Sequence, residues 1–334
     1  MDIDFRYRTK PIKYVEGYIM KGVNYRCNYT KFETLYKAPA IGTETVEVYN
    51  FEPKKEVRAS VILLHGLGSR NIRFFLWMGS HLASAGVHCA IPVLPGNYTR
   101  VESGSVSGRS FLYPDINRMY KFWEHAVVDV RSTIDLLEQK GIWKPNNLIM
   151  GYCLGGMLSS ITMSIDKRIN KGIFMTTGGH LPKILHRSPT AAFVRRLFKA
   201  GLREEYFLHD KKKLYETYRQ QLGKVKNMTL AELCKSSEIH PLFKIDPLSY
   251  AHFIDKSKVT FIDALLDETI PLGSRTSLFR EMRGGVRYIL PMTHGSWLPF
   301  ERFLAQYILF KVNINDKSSL KQVCKKLNID RDLF

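Results

Sequence analysis

The chain has 334 residues, carries a formal charge of +19 and is 45% hydrophobic. That composition excludes a disordered or fibrous chain and supplies apolar mass for one large α/β domain with an insertion, or for two domains. No uninterrupted apolar stretch of about 18 residues appears, which excludes a membrane-spanning helix, and the five scattered cysteines (27, 89, 153, 234 and 324), without a C-x-x-C pair, exclude a disulfide framework or a zinc site.

The opening Met1-Asp2-Ile3-Asp4 has early acids and no apolar run, so a cytoplasmic protein without a leader is expected. A strongly basic surface favours anionic partners. No nucleic-acid motif and no long basic run is present, so specific nucleic-acid binding is set aside. Residues 1–44 are aromatic and basic without a clear period, and read as an N-terminal extension wrapping the core, with room for a helix. Val46 to Phe51 alternates as a half-exposed strand does. Arg58 to Leu64 ends in Ile62-Leu63-Leu64, an apolar run that suits a buried parallel strand. It runs into His65-Gly66-Leu67-Gly68, where glycines let the backbone turn and leave amide N–H groups pointing into a site. Asn71 to Ala85 predicts a helix with Phe74, Phe75, Met78, Leu82 and Ala85 on one face. Val87 to Ile91 is the next strand. Gly96 to Pro114 is a long polar loop, of a length that is usually functional or mobile. Asp115 caps a long helix reaching Gln139, and its Asp129 and Arg131, with Arg118 near its start, read as structural ion pairs.

The most informative stretch comes next, Leu148-Ile149-Met150-Gly151-Tyr152-Cys153-Leu154-Gly155-Gly156. It reads as strand, sharp turn and helix, the G-x-nucleophile-x-G elbow with Cys where Ser usually stands. A Cβ at Gly151 or Gly155 would strike neighbouring backbone. Cys153 is expected in a strained conformation that lifts its sulfur from the sheet, with the positive end of a helix aimed at it. A buried cysteine in an ordinary strand–helix connection would look the same in isolation. Gly172 to Thr177 is a further strand, closed by Gly178-Gly179-His180. Residues 180–255 then show no strand–helix alternation and read as an inserted helical cap, with helices over 191–201 and 204–222 and a capping box at Thr229. Residues 183–226 hold twelve Lys/Arg against four Asp/Glu. The sheet resumes at Val259 to Ile262, and Val286 to Leu290 is the last strand. The expected core is therefore 45–179 with 256–311, closed by a helix from Trp297 to Phe310, and 312–334 is a short, charged helical tail.

Three side chains fall at strand ends in the order nucleophile, acid, base: Cys153, Asp267 and His294. Asp267 is preferred as the acid because it stands at the loop tip, with Asp263 and Glu268 as alternatives. The sulfur would attack an acyl carbon, His294 would move the proton, and Asp267 would hold the imidazole in its useful tautomer. The amides of Leu67 and Leu154 would bind the oxyanion. His65 is expected to order the oxyanion loop, and His180 and Trp297 are candidate pocket residues. No residue pattern suggests a metal or another cofactor.

With these residues in hand, the chain resembles the α/β-hydrolase superfamily from about residue 45 to 311: a mostly parallel sheet flanked by helices, with an inserted helical cap. The elbow is similar to that of dienelactone hydrolases, which use a Cys–His–Asp triad. Polyhydroxyalkanoate synthases also use an elbow Cys and carry a cap. Phe111-Leu112-Tyr113-Pro114-Asp115, Ala126 to Arg131 and Asp246-Pro247-Leu248 are similar to bacterial relatives of α/β-hydrolase-domain-containing protein 18, in which the elbow usually carries Ser. The resemblance implies hydrolysis of a carboxylic ester or thioester of a small acyl substrate, which the basic charge leaves open to be anionic or lipid-like. An acyltransferase and a non-catalytic binding protein on the same scaffold are the alternatives. The sequence does not specify the oligomeric state.

Overall fold

The computed structural model of the chain describes residues 2–68, 72–203 and 205–314. Its strands are β1 (Tyr14–Lys21), β2 (Tyr25–Glu33), β3 (Thr45–Pro53), β4 (Ala59–Leu64), β5 (Val87–Pro92), β6 (Asn147–Tyr152), β7 (Lys171–Met175), β8 (Val259–Leu266) and β9 (Val286–Thr293). They form one sheet in the order β1-β2-β3-β5-β4-β6-β7-β8-β9. From β5 to β9 every neighbouring pair is parallel, whereas β1, β2 and β3 form an antiparallel meander joined to β5. Every residue of β4, β5 and β6 is buried. A parallel sheet covered by helices on both faces requires this, and it explains why these strands read as apolar runs.

Helix α1 (Ile72–Ser84) links β4 to β5, and α2 (Ile116–Gln139) precedes β6, its first turn capped by Asp115, which accepts from the Asn117 and Arg118 amides. Helix α3 (Leu154–Ile165) follows β6 directly. Between β7 and β8 lie α4 (Leu181–Arg187), α5 (Ala192–Lys199), α6 (Lys211–Val225), α7 (Leu230–Lys235) and α8 (Pro247–Tyr250), with 3₁₀ turns and no strand among the described residues. Helix α9 (Leu272–Glu281) joins β8 to β9, and α10 (Glu301–Lys311) ends the described chain.

Several boundaries differ from the sequence reading. The N-terminal residues supply two strands and no helix. All of β1 is exposed, so no buried face imposes a period on it. The helix expected from 204 starts at Lys211, where Asp210 accepts from the Lys213 amide; residue 204 lies outside the described residues. Strand β8 runs on to Leu266. The closing helix begins at Glu301, because Leu298–Phe300, with Pro299 in its first turn, forms a separate 3₁₀ turn. The expected tail beyond Ile314 lies outside the described residues.

Candidate active site

The site forms where β4, β6, β8 and β9 end. Cys153 has φ 55° and ψ −115°, a left-handed conformation rare for a residue with a side chain. Its backbone is fixed from both sides: its N–H donates to Met175 O (3.0 Å), and the Thr177 hydroxyl donates to its carbonyl (2.7 Å). The glycines are required by proximity. A Cβ at Gly151 would collide with the Gly155 carbonyl, and one at Gly155 with the Leu64 carbonyl. Neither obstacle is the movable end of a side chain. Gly155→Ala is therefore expected to destabilise the fold by about 3 kcal/mol or more, at the upper end of overpacking costs, read as a lowered thermal midpoint in circular dichroism.

Asp267 follows directly on β8. Its Oδ1 accepts from the Thr269 and Ile270 amides (2.8 and 2.9 Å), and its Oδ2 accepts from His294 Nδ1 (2.9 Å). With one oxygen occupied by backbone, the other is held toward the imidazole. The His294 ring also interacts with the Cys153 side chain. Burial pushes the His294 pKa down, but Cys153 and Asp267 outweigh it and carry the value up to about 10. The alternative acids sit elsewhere. Asp263 lies inside β8, buried and ion-paired with Arg287 and Arg275, and Glu268 is exposed. Tyr152 steadies the histidine loop: its hydroxyl donates to His294 O (3.2 Å) and its ring lies 5.0 Å from both the His294 and the Trp297 ring.

The loop after β4 reaches the sulfur from the other side. A Cβ on Gly66 would stand 3.2 Å from the Cys153 Cβ. His65 is fully buried, which lowers its pKa to about 4. The neutral ring accepts from the Leu94 amide at Nε2 (3.0 Å) and donates from Nδ1 to Gly66 O (2.8 Å), so it orders the loop. Asn97 adds a second fastening by accepting from the Gly68 amide (2.7 Å).

Leu67, Cys153 and Leu154 share a cavity with Phe111, Trp123 and Ile184. Its volume of about 20 Å³ holds roughly one water molecule. The two leucines expected to flank the oxyanion thus lie beside the sulfur. The two candidate pocket residues do not line this cavity. The His180 amide is held by Asp246 and its ring stacks on Tyr218, while Trp297 packs against Phe75 and Tyr152. Tyr152, Asn97, Thr177 and the apolar cavity walls were not singled out by sequence. Tyr152 stands within the elbow motif itself; the others carry no local pattern. Among the described residues no cluster of His, Cys, Asp or Glu could hold a metal ion, and no helix is long and apolar enough to cross a membrane.

No protein-family model and no curated protein sequence matches the chain. Solved structures do. An acetyl xylan esterase from Paenibacillus sp. R4 superposes with a TM-score of 0.62 at 13% identity, over 90% of this chain and 89% of that one. The acetyl xylan esterase 1 of Thermoanaerobacterium sp. JW/SL YS485 gives 0.57 at 14% identity, over 91% and 90%. The acylaminoacyl peptidase of Pyrococcus horikoshii gives 0.58 at 12%, over 88% of this chain and 43% of that one. The chain has the α/β-hydrolase fold. At such identities the likeness is one of fold alone.

Proposed function

We propose that the protein hydrolyses a carboxylic ester or thioester through a Cys153–His294–Asp267 triad and an acyl-cysteine intermediate. The observation that carries this reading is His294 lying between the Asp267 carboxylate and the Cys153 side chain. The Cys153 thiolate adds to the acyl carbon. The Leu67 and Leu154 amides stabilise the resulting oxyanion, where losing one such donor typically costs about 3 kcal/mol. When the oxyanion collapses, the imidazolium gives its proton to the leaving alkoxide or thiolate, leaving acyl-Cys153. Water then loses a proton to neutral His294 and adds to the thioester, and the acid departs as the thiol re-forms.

The esterases among the structural neighbours and the cysteine elbow's resemblance to dienelactone hydrolases support ester chemistry. The small cavity suits a short acyl group, and residues 180–255 act as the cap, with Ile184 forming part of the roof. The same enclosure favours a second reading, transfer of the acyl group to an alcohol or thiol acceptor, because it limits access of bulk water. Acyl thioesters and p-nitrophenyl esters of graded chain length, assayed on the wild type and on Cys153→Ala, test the proposal. Turnover highest with acetyl and an acyl mass on the peptide carrying Cys153 are expected. Adduct without turnover, rescued by an alcohol, selects acyl transfer. A thiol that takes up neither acyl group nor alkylating probe sinks both readings.

A further inference from the structure

Helix α4 carries two cations one turn apart, Lys183 and Arg187, where it meets α6 and α9. The Lys183 ammonium donates to Gly273 O (3.2 Å) and to the Ser277 hydroxyl (3.1 Å) of α9. The Arg187 guanidinium lies 6.0 Å from the centroid of the Tyr215 ring of α6, and Lys211 Nζ lies 5.8 Å from the same centroid. Lys211 and Tyr215 line an open hollow of about 740 Å³ with Lys212, Glu216 and Arg219. The His180 ring meets Tyr215 edge-on (5.8 Å) and stacks on the buried Tyr218 (4.9 Å).

The acids around this cluster are committed elsewhere. Asp246 is fully buried, and its two oxygens accept from the His180, Leu181 and Leu248 amides and from the Tyr218 hydroxyl. Glu216 accepts from Arg219 and Gln220, Asp210 caps α6, and Glu281 of α9 pairs with Lys226. Among the described residues no carboxylate pairs with Lys183, Arg187, Lys211 or Arg280. Their field reaches the neighbouring groups. Burial and then Arg187 lower the Lys183 pKa, with Arg280 adding to this and Asp246 opposing it. Burial, then Lys183 and Arg187, bring His180 down to about 3, so its ring is neutral. Like charges one turn apart destabilise a helix, and a folded chain that gathers four cations without a counter-charge leaves room for an anion.

We propose that Lys183, Arg187, Lys211 and Arg280, with Tyr215, form a binding site for the phosphate group of a small soluble phosphate ester. Several cations suit a phosphate dianion better than a single carboxylate charge. The planar guanidinium of Arg187 matches two phosphate oxygens at once, and the lysines add point charges. The Tyr215 hydroxyl is buried and has no acceptor of its own among the described residues, so its proton is free for a third oxygen. The site is a hollow rather than a flat face, which favours a small molecule over a membrane surface. Ile184, next to Lys183 in α4, lines the cavity that holds Cys153, so a bound phosphate braces the helix over that cavity. The proposal does not depend on the chemistry of Cys153.

The test titrates the full chain with inorganic phosphate and with pyrophosphate at constant ionic strength, read by calorimetry and by the thermal midpoint. Three proteins are compared: the wild type, Arg187→Glu with Lys211→Glu, and Lys10→Glu with Lys55→Glu, an equal change of charge at exposed positions elsewhere. Saturable binding at millimolar concentration or below is expected, at least tenfold weaker in the first pair and unchanged in the second. Arg187→Gln alone should raise the midpoint of the unliganded protein, by relieving the repulsion with Lys183, and should shrink the rise that phosphate gives. Phosphate that does not saturate overturns the proposal, and so does equal weakening in both pairs. Binding to phosphatidylcholine vesicles carrying phosphatidic acid that free phosphate cannot displace assigns the patch to a membrane surface and also overturns it.

Discussion

Cys153→Ala is expected to lower kcat/KM for an ester by about four orders of magnitude or more, the scale seen when a triad nucleophile is removed, and in the same variant to bring the His294 pKa down from about 10. The second effect follows from what holds that value up. Burial opposes charge on the imidazole, and Cys153 acts against burial more strongly than the Asp267 hydrogen bond does. Without the sulfur, Asp267 alone must offset burial. Imidazole resonances followed by NMR against pH measure the change directly. A His294 titration that Cys153→Ala leaves in place would mean that the sulfur is not the partner. The linked stability has a definite sign. The folded value lies above the ordinary 6.5, so the imidazolium contributes stability that is fully present below about pH 6.5 and is lost as pH rises through about 10. In the proposed mechanism the same coupling would time the chemistry: with the sulfur free, His294 would hold a proton for the leaving group, and with the sulfur acylated it would lose that partner and accept a proton from water.

Much of the fold around the proposed site could be read in one dimension. Strands β4 and β6 are buried on both faces, so their sequences are continuous apolar runs ending in glycine turns, and these turns carry Leu67 and Cys153. His294 follows the last strand on a short loop. Asp267 was preferred over Asp263 and Glu268 only for its place at the loop tip, because the acid depends on where β8 stops. That stop is set by pairing with β9 and by Arg275 and Arg287 taking up Asp263 inside the sheet, neither of which is local in sequence. Strand β1 went unread for a related reason. An edge strand with no covered face shows no alternation, and its only commitment is the backbone ladder to its neighbour. The fastening of the loop after β4 by Asn97, and of the histidine loop by Tyr152, joins residues far apart in the chain and leaves no periodic trace.

The second large effect is structural and bears on that fastening. Asp129→Ala is expected to destabilise the protein by about 3–5 kcal/mol, a large share of the roughly 5–15 kcal/mol that holds a typical domain folded. Asp129 and Arg100 are each 1% exposed. The carboxylate accepts from Arg100 (2.7 Å) and from the Thr34 hydroxyl (2.5 Å), with His125 3.2 Å away. Arg100 Nη1 and Nη2 also donate to the Val93 and Thr43 carbonyls (2.7 and 2.8 Å). Removing Asp129 leaves a buried guanidinium without a counter-charge, and that costs more than the pair itself contributes. Burial pushes the Asp129 pKa up, but His125 and Arg100 prevail and it lies below the ordinary 3.8. Its contribution is therefore present above about pH 3.8 and is lost as pH falls through the folded value. Urea unfolding at pH 7 reads the destabilisation as a lower midpoint at unchanged slope. Replacing both partners, Arg100→Met with Asp129→Leu, should recover most of that stability, since a pair exchanged for apolar side chains leaves no orphaned charge. Activity should recover less. The Arg100 backbone closes the turn that presents Asn97, through Arg100 N–H to Asn97 O (2.9 Å) and Gly96 N–H to Arg100 O (2.7 Å), and Asn97 holds the Gly68 amide beside Leu67. A doubly substituted protein with wild-type stability and a reduced kcat would separate the two roles of this pair, one as a clasp between α2 and the sheet edge, the other as the anchor of the loop that faces the sulfur.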